Sequence, residues 1–124
     1  QYTMAADRQL GPLAVLNDPW QLAVLRLVQG LFDGPRAASP DAPKPVGVCG
    51  ESAADPALAV VLVGLGVSTL SMTSRALPGV AAVLRSISLE QARELAGLAL
   101  SADSAAEART AVRTKLPVLD ALGL

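Results

Sequence analysis

The chain has 124 residues, one cysteine, no histidine, and ten basic against eleven acidic side chains, a formal net charge of −1. Without histidine this segment holds no imidazole base, no histidine-bound zinc and no phosphohistidine; without a basic cluster or an aromatic ladder it offers no nucleic-acid surface. A lone cysteine forms no internal disulfide and points to a reducing, cytoplasmic compartment. The longest apolar run, Ala57 to Val67, carries two glycines and falls short of the ~20 residues of a membrane span.

Hydrophobic residues make up 52% of the chain and mean hydropathy is +0.44, supplied almost wholly by aliphatics and alanine. That excess predicts elements buried on more than one side, as in a barrel or a large interface. At this length the chain is one domain or part of one. Beginning at Gln1 with no basic or apolar leader, it reads as a piece of a longer protein.

In chain order, Asp18-Pro19 predicts a helix start, with Asp as N-cap and Pro at the first helical position. Val24, Leu27, Val28 and Leu31 then recur at i, i+3, i+4 and i+7 on one apolar face. Gly34-Pro35 is expected to end this helix and open a proline-rich loop over 34–45. Lys44 to Cys49 predicts a first strand. Asp55-Pro56 repeats the capping signature before a helix to about Leu65, apolar nearly all round and therefore buried, with Gly64 and Gly66 as its stop. Val67 to Met72 predicts a second strand and Pro78 opens a helix through Arg85. Ser88 with Gln91, and Ser104 with Glu107, read as capping boxes for two further helices. The first of these has Ala92, Leu95, Ala96 and Ala99 on one face; the second carries Ala108, Ala111 and Val112 and is broken by Pro117. Strands alternating with helices predict an α/β fold with a parallel sheet. Two parallel strands bury neither both faces nor both edges, so further strands are expected from residues before Gln1 or from another chain.

The chemistry concentrates at Pro45-Val46-Gly47-Val48-Cys49-Gly50-Glu51. A short strand there delivers a thiol and a carboxylate to a rim, and Gly50 lets the backbone approach a ligand closely. A lone cysteine in an apolar segment is otherwise a buried, inert residue. A protonated thiol beside Glu51 suits a general acid better than a nucleophile, since no histidine is present to activate it. Glu51 alternatively serves as a hydrogen-bonding rim residue. The guanidinium of Arg8 matches phosphate geometry, against the plain reading of a solvated cation. Tyr2 and Trp20 read as packing residues. Gly64-Leu65-Gly66 lacks a third glycine and follows a helix, so it is not a nucleotide fingerprint.

The segments 1–8 (QYTMAADR) and 44–51 (KPVGVCGE), with 70–73 (LSMT), 84–88 (LRSIS) and 90–96 (EQARELA), resemble the C-terminal catalytic domain of the Enzyme I family of the bacterial phosphoenolpyruvate-dependent sugar phosphotransferase system. The Cys-Gly-Glu core alone is also similar to the related barrels of pyruvate phosphate dikinase and phosphoenolpyruvate synthase. The resemblance implies the C-terminal portion of a (β/α)8 TIM barrel spanning 1–124: its last two strand–helix units and terminal helices. It implies phosphoenolpyruvate as substrate, Mg²⁺ bound by residues before Gln1, and a homodimer. It further implies phosphoryl transfer to a histidine of a separate N-terminal domain and on to a histidine-containing carrier protein. The position matching Arg8 binds the substrate phosphate, and the position matching Cys49 gives a proton to the enolate. Gly50 and Glu51 support the rim. The sequence departs from the family at Gln9-Leu10-Gly11, where a small residue and Asn-Glu are usual, and in a longer loop before Lys44. Such a partial barrel is expected to be inactive by itself. The competing reading is a non-catalytic assembly module whose apolar helices and open sheet edges drive association.

Overall fold

A computed structural model describes residues 1–7, 9–38, 41 and 44–124. The elements are α1 (Gly11–Ala14), α2 (Leu22–Ala38), β1 (Gly47–Cys49), α3 (Glu51–Ala54), α4 (Pro56–Leu65), β2 (Thr69–Ser71), α5 (Leu77–Arg85), α6 (Leu89–Ser101), α7 (Ala105–Thr114) and α8 (Val118–Leu122). The fold is α/β. Strands β1 and β2 are parallel neighbours, with Gly47 opposite Thr69, Val48 opposite Leu70 and Cys49 opposite Ser71.

Helix α4 is the hub. Asp55 caps it, accepting from the Ala57 and Leu58 N–H groups at 3.0 and 3.2 Å, and Pro56 occupies its first turn. Ala57 to Leu62 and Leu65 are all buried, as a helix apolar on every side requires. It packs most extensively on α6, and also against α2, α3, α5 and α7. The close α4–α6 approach explains Gly64, which lies inside the helix rather than ending it. A Cβ there would stand 2.0 Å from the Ala92 carbonyl oxygen. The stop is Gly66, whose φ of +115° is the left-handed conformation of a helix C-cap, and the Phe32 ring of α2 packs over it.

Helix α6 opens on a complete capping box between Ser88 and Gln91, and its buried face is Ala92, Leu95, Ala96 and Ala99, as expected. The second box is displaced by one residue: Ser104 Oγ accepts from the Glu107 N–H, while the Glu107 carboxylate accepts from the Asp103 N–H. Ala108 and Val112 are buried and Pro117 separates α7 from α8. The strands are shorter than expected, three residues each.

Three expectations about the segment of α2 are corrected. Asp18 does not cap a helix beginning at Pro19; its carboxylate holds a turn by accepting from the Trp20 N–H at 3.0 Å, and α2 begins at Leu22. Gly34-Pro35 does not end α2, which runs on to Ala38 and shortens the proposed loop. Pro35 has no N–H to give the Leu31 carbonyl, so the helix runs on with that one bond missing. Finally, α2 buries Leu25 and Phe32, with Val28 packed alongside, whereas Leu27 and Leu31 face outward.

The core is wholly apolar: no described polar or charged residue is fully buried. Val48 and Leu70 turn one face of the sheet toward it, as does Val46 just before β1. Gly47, Cys49, Thr69 and Ser71, on the other face, are exposed.

Candidate functional site at the strand ends

The site forms where β1 and β2 finish. Side chains alternate along a strand, so with Val48 directed inward Cys49 takes the open face, and register places Ser71 beside it. The ladder extends one step further, because the Gly50 N–H donates to the Ser71 carbonyl at 3.0 Å. Gly50 then turns the chain with φ +88° and ψ −155°. A Cβ at Gly50 would meet no atom within 4 Å, so the demand for glycine is conformational rather than steric. Its carbonyl accepts from the Ala53 and Ala54 N–H groups at 3.1 and 3.2 Å, which opens α3 and places Glu51 in the first turn.

Cys49 is therefore a free, exposed thiol at the carboxyl end of a parallel strand, not the buried inert residue that composition alone suggests. Glu51 is exposed as well, two residues away across the Gly50 turn. Backbone geometry brings Cys49, Gly50, Glu51 and Ser71 to one corner. Ser71 went unmarked in the sequence because serine at a strand end carries no spacing signal; only the register reveals it.

Arg8 lies outside the described residues. The segment before it is turn-rich, with the Ala6 N–H bonded to the Gln1 carbonyl and Ala5 at φ +50°. A hollow of about 490 Å³ is lined there by Gln1, Tyr2, Ala5, Ala6 and Asp7. Tyr2 is fully exposed, correcting the expectation that it packs. Among the described residues no three His, Cys, Asp or Glu side chains stand together as a metal cluster.

A sequence model described as PEP-utilising enzyme, PEP-binding domain, matches residues 1–89. The chain belongs to this family. Within the matched part of the PEP-binding domain stand both strands, the Cys49 corner and the segment carrying Arg8. Helices α7 and α8, and nearly all of α6, lie beyond it. The chain is 51% identical over 116 residues to a phosphoenolpyruvate-protein phosphotransferase of Streptomyces coelicolor, covering 94% of this chain and 20% of that protein. It is 42% identical to a multiphosphoryl transfer protein of Xanthomonas campestris, over 88% of this chain and 12% of that one. A phosphoenolpyruvate-protein phosphotransferase of Haloferax volcanii is 41% identical, over 86% of this chain and 18% of the relative. This PEP-binding-domain chain thus spans about a fifth of the length of such relatives, or less.

Proposed function

We propose that the chain is the C-terminal part of the catalytic barrel of a phosphoenolpyruvate-protein phosphotransferase, with Cys49 as the acid that completes the reaction. The observation that carries this reading is the exposed thiol at the end of β1, held beside Ser71 by strand register and followed by the Gly50 turn. Barrel enzymes hold their chemistry at the carboxyl ends of their strands. The open sheet face bearing Gly47, Cys49, Thr69 and Ser71 is consistent with a barrel interior that other strands complete.

In the proposed reaction, the bond between phosphorus and the enol oxygen of phosphoenolpyruvate breaks, and the phosphoryl group passes to a histidine nitrogen outside this chain. The electron pair left on that oxygen makes an enolate. Its C3 takes a proton from the Cys49 thiol, giving the methyl group of pyruvate, and solvent restores the thiol. Arg8 would bind the substrate phosphate, with Glu51 and Gly50 shaping the rim. The magnesium ligands are proposed to precede Gln1; no step here is derived through the metal. The histidine-containing carrier protein would then accept the phosphoryl group, and the working assembly would be a cytoplasmic homodimer. No helix among the described residues is long and apolar enough to cross a membrane.

The test is pyruvate release by the full-length protein carrying Cys49→Ala, with phosphoenolpyruvate, Mg²⁺ and carrier protein. A lost general acid lowers turnover about 10²- to 10⁴-fold while substrate binding is kept. Unchanged turnover would return Cys49 to a surface thiol. The chain by itself should release no pyruvate.

A further inference from the structure

Beneath the Cys49 corner lies a polar junction that joins three distant parts of the chain. Trp20 is fully buried, yet its indole N–H donates to the Asp55 carboxylate at 2.9 Å. Asp55 stands at the seam between α3 and α4. One of its oxygens accepts from the Ala57 and Leu58 N–H groups and the other from Trp20, while its own N–H donates to the Glu51 carbonyl at 3.2 Å. From the other side, one Arg109 nitrogen donates to both carboxylate oxygens of Asp18 at 2.8 and 2.9 Å, and its guanidinium lies 5.8 Å from the Trp20 ring centre. Asp18 in turn accepts from the backbone N–H of Trp20.

From this geometry we infer that Trp20 is a positioning residue for the Cys49 turn, acting through Asp55. The inference rests on the proton-donor reading of Cys49 given above. Only the one-turn helix α3 and Gly50 separate Cys49 from Asp55, and α3 is tied at both ends by backbone bonds. Whatever fixes Asp55 therefore fixes the exit of the turn that presents Cys49 and Glu51. The α4 cap alone fixes Asp55 only relative to its own helix. The indole bond ties it to the N-terminal segment, and Arg109 ties that segment to α7. A buried indole N–H needs an acceptor, and here the acceptor is the carboxylate that also caps α4. Here the bond satisfies a buried donor and orients the carboxylate together.

The experiment uses the full-length protein with Trp20→Phe, Asp55→Asn, the double variant, and Val83→Ala, a fully buried residue of α5, as a stability control. Pyruvate release is measured, together with the rate of Cys49 alkylation by iodoacetamide, read on the Cys49 peptide by mass spectrometry. Trp20→Phe should lower kcat about tenfold with KM for phosphoenolpyruvate nearly unchanged, because misplacement penalises chemistry more than binding. The alkylation rate of Cys49 should change by several-fold in the same variant. Asp55→Asn keeps a capping oxygen but turns an amide toward the indole N–H; it should act likewise, and the double variant should be no worse than the more impaired single one. Val83→Ala should lower thermal stability and leave both readouts in place. The inference is overturned if Trp20→Phe leaves kcat or the alkylation rate unmoved, or if Val83→Ala reproduces the loss. Failure of the proton-donor reading is distinct: it shows as turnover surviving Cys49→Ala, whereas the alkylation arm reads the Trp20 effect on the turn without any turnover.

Discussion

The two faces of the α4 layer contrast sharply. Toward α6, helix meets helix so closely that Gly64 has no room for a methyl group, and the buried residues at the contact are apolar. Toward the strands, the packing stops at Val48 and Leu70, and the far side of the sheet lies open with a thiol and two hydroxyl residues on it. The first region holds the chain together and could be altered only at a cost to folding. The second is expected to contribute little to folding and holds the residues proposed for the chemistry. On the proposed reading, stability and function thus rest on different parts of the molecule, the α4–α6 contact and the open sheet face.

That division can be broken by substitution. Leu58→Ala removes a fully buried side chain of α4 and should cost about 2–5 kcal/mol in chemical denaturation. Gly64→Ala forces a Cβ onto the Ala92 carbonyl and should cost about 1–3 kcal/mol, read as a lower melting temperature. Ser88→Ala removes the hydroxyl that accepts from the Gln91 N–H at the start of α6, a loss of about 1 kcal/mol. Cys49→Ala, on the open face, should change stability by less than about 0.5 kcal/mol. Should Cys49→Ala destabilise as much as Leu58→Ala, the thiol would be part of the core and the division would fail.

Much of the closed region was legible in the sequence. Asp55-Pro56, Ser88 with Gln91 and Ser104 with Glu107 are local signals, since a cap and the N–H groups it serves lie within a few residues of each other. The even hydrophobicity of Ala57 to Leu65 announced a helix buried all round. The face of α2 was not legible. Leu22, Val24, Leu25, Leu27, Val28, Leu31 and Phe32 cover so wide an arc that periodicity selects no one side, and packing of Phe32 over Gly66 decides it. The single-turn helices α1 and α3 are too short to show a period. At the site, the Cys49–Gly50–Glu51 turn was readable from glycine beside a strand end. Ser71 and the Trp20–Asp55 bond were not, because each depends on a partner more than 20 residues away.

The central claim is a proton passing between the Cys49 thiol and C3 of the enolate, and the reverse of that step isolates it. The full-length protein is mixed with Mg²⁺ and pyruvate in deuterium oxide, without any phosphoryl donor, and the pyruvate methyl signal is followed by NMR. The intact protein should exchange methyl protons for deuterium, and Cys49→Ala should slow that exchange by about two orders of magnitude or more. Equal exchange in both proteins would contradict the assignment of Cys49 as the acid.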